Sequence, residues 1–348
     1  MSKLFCVCLF LPLTLFGQDR HFAQVLSNPL GLNPAATGVM DGSYRAALIY
    51  RNQWQKDLIT PYKTFNASAD FRFDPGFKKS LSGDLLGAGI QFLHDKVGFF
   101  DFNTNQVNVF AGYHKSLNPE TQSFLSLGFS AGIVQKSVSI GNLQFQDQFQ
   151  DGVGFVNSTG EIIPDNNLSF GDYSLGLLYH GAISESVKLL SGLSLSHLFE
   201  PNVSFYRQND PASVIRTENI LSRKLAFSVL AEKKINPFVI LSPRLIAYFQ
   251  QPHFQTLLGL TGKFALNEDR SNHLYTGIWG RLSNQQESFG AESLTIFAGI
   301  QVGEFNVGIS YDANLSGFSQ NFYNRGIFEL SLIIIGNYSN EGLFCPSF

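Results

Sequence analysis

The sequence predicts an all-β fold: a transmembrane antiparallel β-barrel of about fourteen strands. Three observations carry this reading. Apolar and polar residues alternate with period two through run after run of the chain, the mark of a strand with one apolar face. Aromatic residues make up 14% of the chain and charged residues only 15%, whereas a soluble domain carries about 25% charged residues. Long and short connections also sort by parity along the chain, as they do in bacterial outer-membrane barrels. Beyond residue 17 no apolar run reaches the ~18 residues of a membrane helix.

Taken in order, residues 1–17 read as a secretory signal. Lys3 supplies the positive start, Leu4 to Phe16 is apolar apart from Thr14, and Gly17 offers a small residue at the cut, so the mature chain begins at Gln18. Cys6 and Cys8 fall inside the apolar stretch, too early to become a lipidated N-terminus. Cys345 is then the one cysteine left, which excludes an intramolecular disulfide. The net charge of −3 comes without a basic stripe, so no nucleic acid is expected as a partner.

Residues 18–42 form an irregular segment, placed either at the periplasmic mouth or in the barrel as a plug. Asn28-Pro29 and Asn33-Pro34 are turn formers within it, because the residue before a proline is pushed away from helix. The barrel is assigned to 43–336 and a tail to 337–348. The predicted strands are 43–51, 62–73, 85–97, 105–116, 123–136, 171–181, 188–199, 224–233, 239–249, 254–263, 272–283, 292–301, 304–313 and 326–336. Alternation is clearest where Phe65, Ala67, Ala69, Phe71 and Phe73 oppose Asn66, Ser68, Asp70 and Arg72, and where Phe305, Val307, Ile309 and Tyr311 oppose Asn306, Gly308, Ser310 and Asp312. The weakest strands are 239–249, which contains Pro243, and 254–263, which alternates poorly.

The two longest connections, 137–170 and 200–223, follow odd-numbered strands and are expected outside, with both termini periplasmic. The expected location is the outer membrane of a Gram-negative bacterium. Trp54 and Tyr44, Tyr50, Tyr62, Tyr113, Tyr173, Tyr179, Tyr248, Tyr275 and Tyr311 fall near strand ends and fit aromatic girdles. Arg45, Arg51, Asp70, Arg72, Lys263, Arg281, Asp312 and Glu329 share the inward phase. Such charges either pair into a rigid network or line a water-filled path.

Motifs for chemistry are few. Gly128-Phe129-Ser130-Ala131-Gly132 matches a serine-hydrolase pattern, but lies inside an alternating strand rather than on the strand-to-helix turn that chemistry needs. The histidines form no zinc spacing. His197 is in phase with Leu193 and Leu195, which places it at the membrane boundary or at a bulge. Asp147, Asp151 and Asp165 in the longest loop have oxygen ligands to offer calcium, but lack the EF-hand spacing, so local pairing in a solvated loop is preferred. No enzyme activity and no cofactor are expected.

Several blocks together resemble the PorP/SprF family of the type IX secretion system. They are Gln18-Asp19, His21-Phe22, Asn28-Pro29-Leu30 and Leu32-Asn33-Pro34-Ala35, then Tyr44-Arg45, then Tyr50-Arg51-Asn52-Gln53-Trp54. His197-Leu198 with Pro201, Tyr311-Asp312 with Ser316, and Gly326 to Leu332 resemble further family positions. The resemblance implies a monomeric barrel similar to fatty-acid-transporter-type barrels, with a role in secretion or gliding. The partners it implies are outer-membrane lipid, periplasmic motor components or a peptidoglycan-binding lipoprotein, and a secreted adhesin. Residues 18–54 are expected to form the main periplasmic contact surface, with His21, Phe22, Asn28, Pro29, Asn33, Pro34, Arg51, Asn52, Gln53 and Trp54 as candidates; Asp147 and Asp151 are candidates on the outer loop. The alternative function is a channel for hydrophobic small molecules, which the polar, glycine-rich inward face disfavours.

Overall fold

A computed structural model describes residues 19–54, 60–74, 83–98, 101–118, 121–139, 143–161, 163, 165–206, 219–285, 288–315 and 326–338. The predicted signal, 1–17, and most of the tail lie outside these residues.

Fourteen antiparallel strands close into one barrel. They are β1 (Tyr44–Gln53), β2 (Tyr62–Phe73), β3 (Leu85–Val97), β4 (Phe102–Asn118), β5 (Ser123–Ser137), β6 (Asn167–Ser184), β7 (Val187–Ser196), β8 (Lys224–Asn236), β9 (Val239–Gln250), β10 (His253–Ala265), β11 (His273–Gln285), β12 (Ser288–Val302), β13 (Phe305–Asn314) and β14 (Gly326–Gly336). Each pairs with its neighbours in sequence, and β14 closes on β1 from Tyr44↔Gly336 to Gln53↔Ile327. Closure leaves no unpaired edge, the condition for strands to stand in lipid.

The alternation read from the sequence separates two environments. Leu127, Ile133 and Ile296 on the outer face are 58%, 67% and 61% exposed, while Ser126 and Thr295 on the inner face are at 0%. The outer side chains face hydrocarbon, so the apolar core of this protein is partly the bilayer itself. Each predicted strand matches an observed one, and the differences have local causes. Pro243 does sit within β9. It pairs with Leu260 of β10, but the β8–β9 register runs from Leu230↔Arg244 to Lys233↔Leu241 and skips it, so its missing N–H breaks no ladder there. β7 ends at Ser196 rather than 199 because His197 takes a left-handed φ of 58°. That twist turns the imidazole into the lumen, where it is buried, out of phase with outward-facing Leu193. Tyr248 and Tyr275 also point inward rather than joining a girdle: Tyr248 packs on a lumen cluster, and the Tyr275 hydroxyl donates to Gln301 at 2.7 Å.

Connections 138–166 and 197–223, after β5 and β7, share one rim. The opposite rim carries the barrel's two ends and tight turns such as 303–304, where Gly303 adopts a φ of 56°. Between the rims, residues 19–42 run through the lumen as two 3-10 turns, Val25–Ser27 and Pro34–Ala36, flanking a short helix, α1 (Pro29–Leu32).

Candidate functional site: the filled lumen

The two Asn-Pro pairs fold the segment and fasten it at once. Asn28 caps α1 by accepting from the Gly31 N–H at 3.3 Å, and the same oxygen accepts from Gln91 of β3 at 2.6 Å. Asn33 accepts from the Ala35 N–H at 2.9 Å while its amide donates to the carbonyls of Leu177 and Leu193 on β6 and β7, at 3.1 and 3.2 Å. The proline after each asparagine has no N–H to lose at a helix start. A turn signal in the sequence therefore marks two anchors on the wall.

Apolar contacts fill three gaps. Phe22 meets Ile49 and Leu93; Val25 and Leu32 meet Ile246, Leu257 and Trp279; Ala35 and Ala36 meet Leu178. The last turn presses on glycines of the wall. A Cβ on Gly128 of β5 would lie 2.2 Å from the Ala35 nitrogen, and one on Gly87 of β3 would lie 2.2 Å from the Thr37 carbonyl oxygen. Gly128 is thus a seat for backbone, and the neighbouring Ser130, buried in mid-strand, is no nucleophile on a turn.

Three polar clamps hold the segment along its length. Near the rim where β1 starts, Asp70 accepts from Arg45 at 2.9 and 2.8 Å and from the Gly38 N–H at 2.8 Å, while Arg45 also donates to the carbonyls of Ala36 and Val39. The His114 ring bridges Thr37 O and Ser126 Oγ at 2.8 and 2.7 Å. Because a carbonyl only accepts, Nε2 carries the proton and Nδ1 accepts from the serine. Further toward the other rim, Glu329 accepts from the N–H groups of Ala23 and Gln24, both at 2.8 Å, with Arg51 3.9 Å away. Gln24 is fully engaged, donating to Ser310 Oγ and Glu329 O and accepting from Ser331.

The third clamp lies near the rim that carries the long connections. Asp19 receives His197 Nε2 at 2.7 Å and Lys224 Nζ at 2.5 Å, and Asp172 holds the other ring nitrogen of His197 at 2.9 Å. Burial works against charge on His197, but the charge of Asp19 and hydrogen bonds to Asp172 and Asp19 outweigh it and raise its pKa to about 9. Burial likewise works against the Asp19 carboxylate, yet Lys224 and His197 hold it well below 3.8. The signs fix a pH window. A raised histidine contributes fully below 6.5 and loses its contribution as pH rises through about 9; a depressed aspartate contributes above 3.8 and loses it as pH falls. The Asp19 amide, which donates to Gln250 at 3.0 Å, is therefore expected to be most protected from hydrogen exchange, relative to its intrinsic rate at each pH, between these limits and to lose protection above pH 9. His197→Gln is expected to abolish the alkaline limb and leave the acid one. Beside this clamp the lumen opens into a cavity of about 600 Å³ lined by Arg20, Asp95, Lys136, Asp172, His197 and Lys224, among others.

The contact candidates from the sequence are distributed differently from expectation. Phe22, Asn28, Asn33 and Pro34 are buried in the lumen, with Pro29 at the start of α1, and the His21 carbonyl accepts from Arg51. β1 carries Arg51–Trp54 to the rim opposite Tyr44, where Gln53 accepts from Arg51 at 2.7 Å and Trp54 packs on Tyr62 at 5.2 Å. Asn52 is 9% exposed. Residues 19–54 therefore span the barrel from rim to rim instead of forming one periplasmic surface, because the segment enters the lumen and β1 then runs back along it. Asp147 accepts from Thr159 and from the Gly160 N–H at 2.6 Å within its own loop, and Asp151 is exposed in the turn of a two-residue hairpin, 149–150 against 154–155. Sequence reasoning missed Asp19, His114, Asp172 and Lys224 as clamps. Inward phase was the available signal for His114, Asp172 and Lys224, whereas Asp19 precedes the strands and has no phase.

A closed barrel with an apolar belt outside and a polar wall inside is an outer-membrane β-barrel of the Gram-negative type. The family model for the type IX secretion system membrane protein PorP/SprF matches residues 14–334, nearly the whole chain, and the protein belongs to that family. It is accordingly an outer-membrane component of type IX secretion. No curated protein matches the chain in sequence. Among solved structures it is similar to the CymD monoaromatic hydrocarbon channel, with 11% identity, TM-score 0.48 and coverage of 90% of this chain and 93% of that one. It is similar also to a Pseudomonas aeruginosa FadL homologue, at 10% identity, TM-score 0.48 and coverage of 87% and 92%. The P. putida toluene transporter TodX gives 12% identity, TM-score 0.43 and coverage of 88% and 93%.

Proposed function

We propose that this protein is a filled, scaffold-type barrel that supports secretion or surface anchoring of partner proteins such as adhesins within the type IX secretion and gliding machinery. The observation that carries the reading is the lumen itself. It is occupied by the chain's own segment and clamped at three points along it, which leaves the rims and loops as the working surfaces. In this reading 1–17 is a signal peptide, the short turns and the barrel's two ends face the periplasm, and 138–166 and 197–223 face outward. Asp19 then lies inside the lumen toward the outer rim. The outer loop adds support: Phe149, Val153, Phe155 and Val156 are 50%, 63%, 46% and 57% exposed on a stretch that lies off the barrel wall, the kind of apolar surface that protein contacts use. The hydrophobic-channel alternative gains little from a cavity whose walls carry Arg20, Asp95, Lys136 and Asp172.

Purification from the native outer membrane in mild detergent, followed by mass spectrometry, tests the proposal. Near-stoichiometric recovery of a large surface adhesin, of periplasmic motor components or of a peptidoglycan-binding lipoprotein is expected. Deletion of 143–161 is expected to lose the surface partner and retain the periplasmic ones. A lone barrel carrying an apolar ligand would refute the proposal in favour of transport.

A further inference from the structure

Most charged side chains that line the lumen answer to an opposite charge. Arg45 has Asp70, Arg51 has Glu329, Arg20 has Asp95, and Arg281 has Asp312 and Glu292. Arg244 of β9 is different. It is 8% exposed, and among the described residues no carboxylate pairs with it. Its guanidinium lies 4.7 Å over the Trp279 ring, one terminal nitrogen donates to the Thr261 hydroxyl, and its Nε has no acceptor. A buried cation without a counter-charge is unfavourable, and a cation–π contact offsets only part of that.

Arg244 touches an aromatic face and a hydroxyl but no carboxylate. The registers Arg244↔Gly259, Gly259↔Trp279 and Trp279↔Thr295 set these residues in one row across β9 to β12. Trp279 Nε1 in this row also has no partner, although the residue is 2% exposed; Thr295, by contrast, stands opposite the buried carboxylate of Asp312, which Arg281 binds. Indole N–H and guanidinium can only donate. Gly259 makes the arrangement possible, since a Cβ there would lie 2.3 Å from the Trp279 Cβ. Further along the inward face of β10, Lys263 lies 5.4 Å over the Tyr275 ring; no carboxylate forms a salt bridge with it among the described residues, although Glu232 and Asp41 lie near enough to act on its charge. Two cations thus follow one another along the wall toward the rim that carries the barrel's ends.

We propose that the Arg244 guanidinium and the Trp279 indole N–H form an oxyanion site inside the barrel that takes a carboxylate or phosphate group entering past Lys263. A guanidinium fork matches the paired oxygens of either group. A neutral or cationic ligand would leave the donors unmet. Val25 and Leu32 of the N-terminal segment share a cluster with Trp279, so an occupant at Trp279 would couple to the seating of that segment.

The chain has 2 tryptophans, so Trp54→Phe leaves Trp279 as the sole emitter. Detergent-purified full-length Trp54→Phe protein is titrated with inorganic phosphate and separately with acetate, at constant ionic strength set with chloride. A saturable change in Trp279 emission is expected with at least one of them, and which one responds identifies phosphate or carboxylate as the ligand chemistry. Arg244→Met, in protein that keeps the heat-dependent gel mobility of a folded barrel, is expected to weaken the response at least tenfold. Arg244→Gln, which keeps a donor but removes the charge and is expected to weaken it several-fold, serves if Arg244→Met does not fold. No saturable change with either anion, or equal titration of parent and folded variant, would overturn the proposal.

Discussion

Gly128→Val expels the N-terminal segment from the lumen. The valine Cβ would fall 2.2 Å from the Ala35 nitrogen and 2.3 Å from the Pro34 carbonyl carbon. Both atoms are backbone, so no rotamer change can relieve the clash; either the segment leaves or the wall deforms. Overpacking a fitted interior costs about 1–3 kcal/mol even where side chains can give, and here nothing flexible stands in the way. The wall ladder of β5 has β4 and β6 on either side, whereas the segment is held by side-chain clamps, so the segment yields first. A cysteine placed at Ser27, which is 8% exposed in the wild type, reports the change when Cys345 is replaced by serine. Maleimide labelling is expected to be at least tenfold faster in the Gly128→Val background. Gly280→Val is the control: a Cβ there meets nothing within 4 Å, and labelling is expected to stay slow.

Asp70→Ala produces the largest loss of stability among single substitutions at the clamps. Asp70 is 1% exposed and answers both Arg45, 8% exposed, and the Gly38 N–H. Removing it strands a buried guanidinium, for which about 3–5 kcal/mol is the usual loss. Most of that loss reflects the unpaired charge, so Arg45→Met in the Asp70→Ala background is expected to recover much of it. Lys96→Ala breaks a bridge to Asp101 whose side chains are 43% and 47% exposed, and is expected to cost about 0–1 kcal/mol. Urea unfolding followed by heat-dependent gel mobility measures all three. A smaller loss from Asp70→Ala than from Lys96→Ala would contradict the clamp.

The barrel was legible because lipid outside and polar groups inside give each strand two contrasting faces. Legibility failed where the lumen is not polar. Leu257 of β10 turns inward and is 4% exposed because Val25 of the segment covers it, so the strand loses its alternation. Tyr248 is displaced from the expected girdle for the same reason. His197 escaped its phase through one left-handed residue, which periodicity does not register. The inward charges could be read as inward, but not as clamps. Glu329 works by accepting from the backbone of residues 23 and 24, and backbone donors leave no trace in side-chain patterns. The Asn-Pro pairs announced turns without announcing what the turns lean on.

The barrel is filled by its own N-terminal segment, residues 19–42. Ion conductance of the purified protein in planar bilayers tests this filling most directly, with Gly128→Val as the opened reference. The wild type is expected to show no conductance steps and the variant to show them. Wild-type steps as large as those of Gly128→Val would contradict a filled lumen.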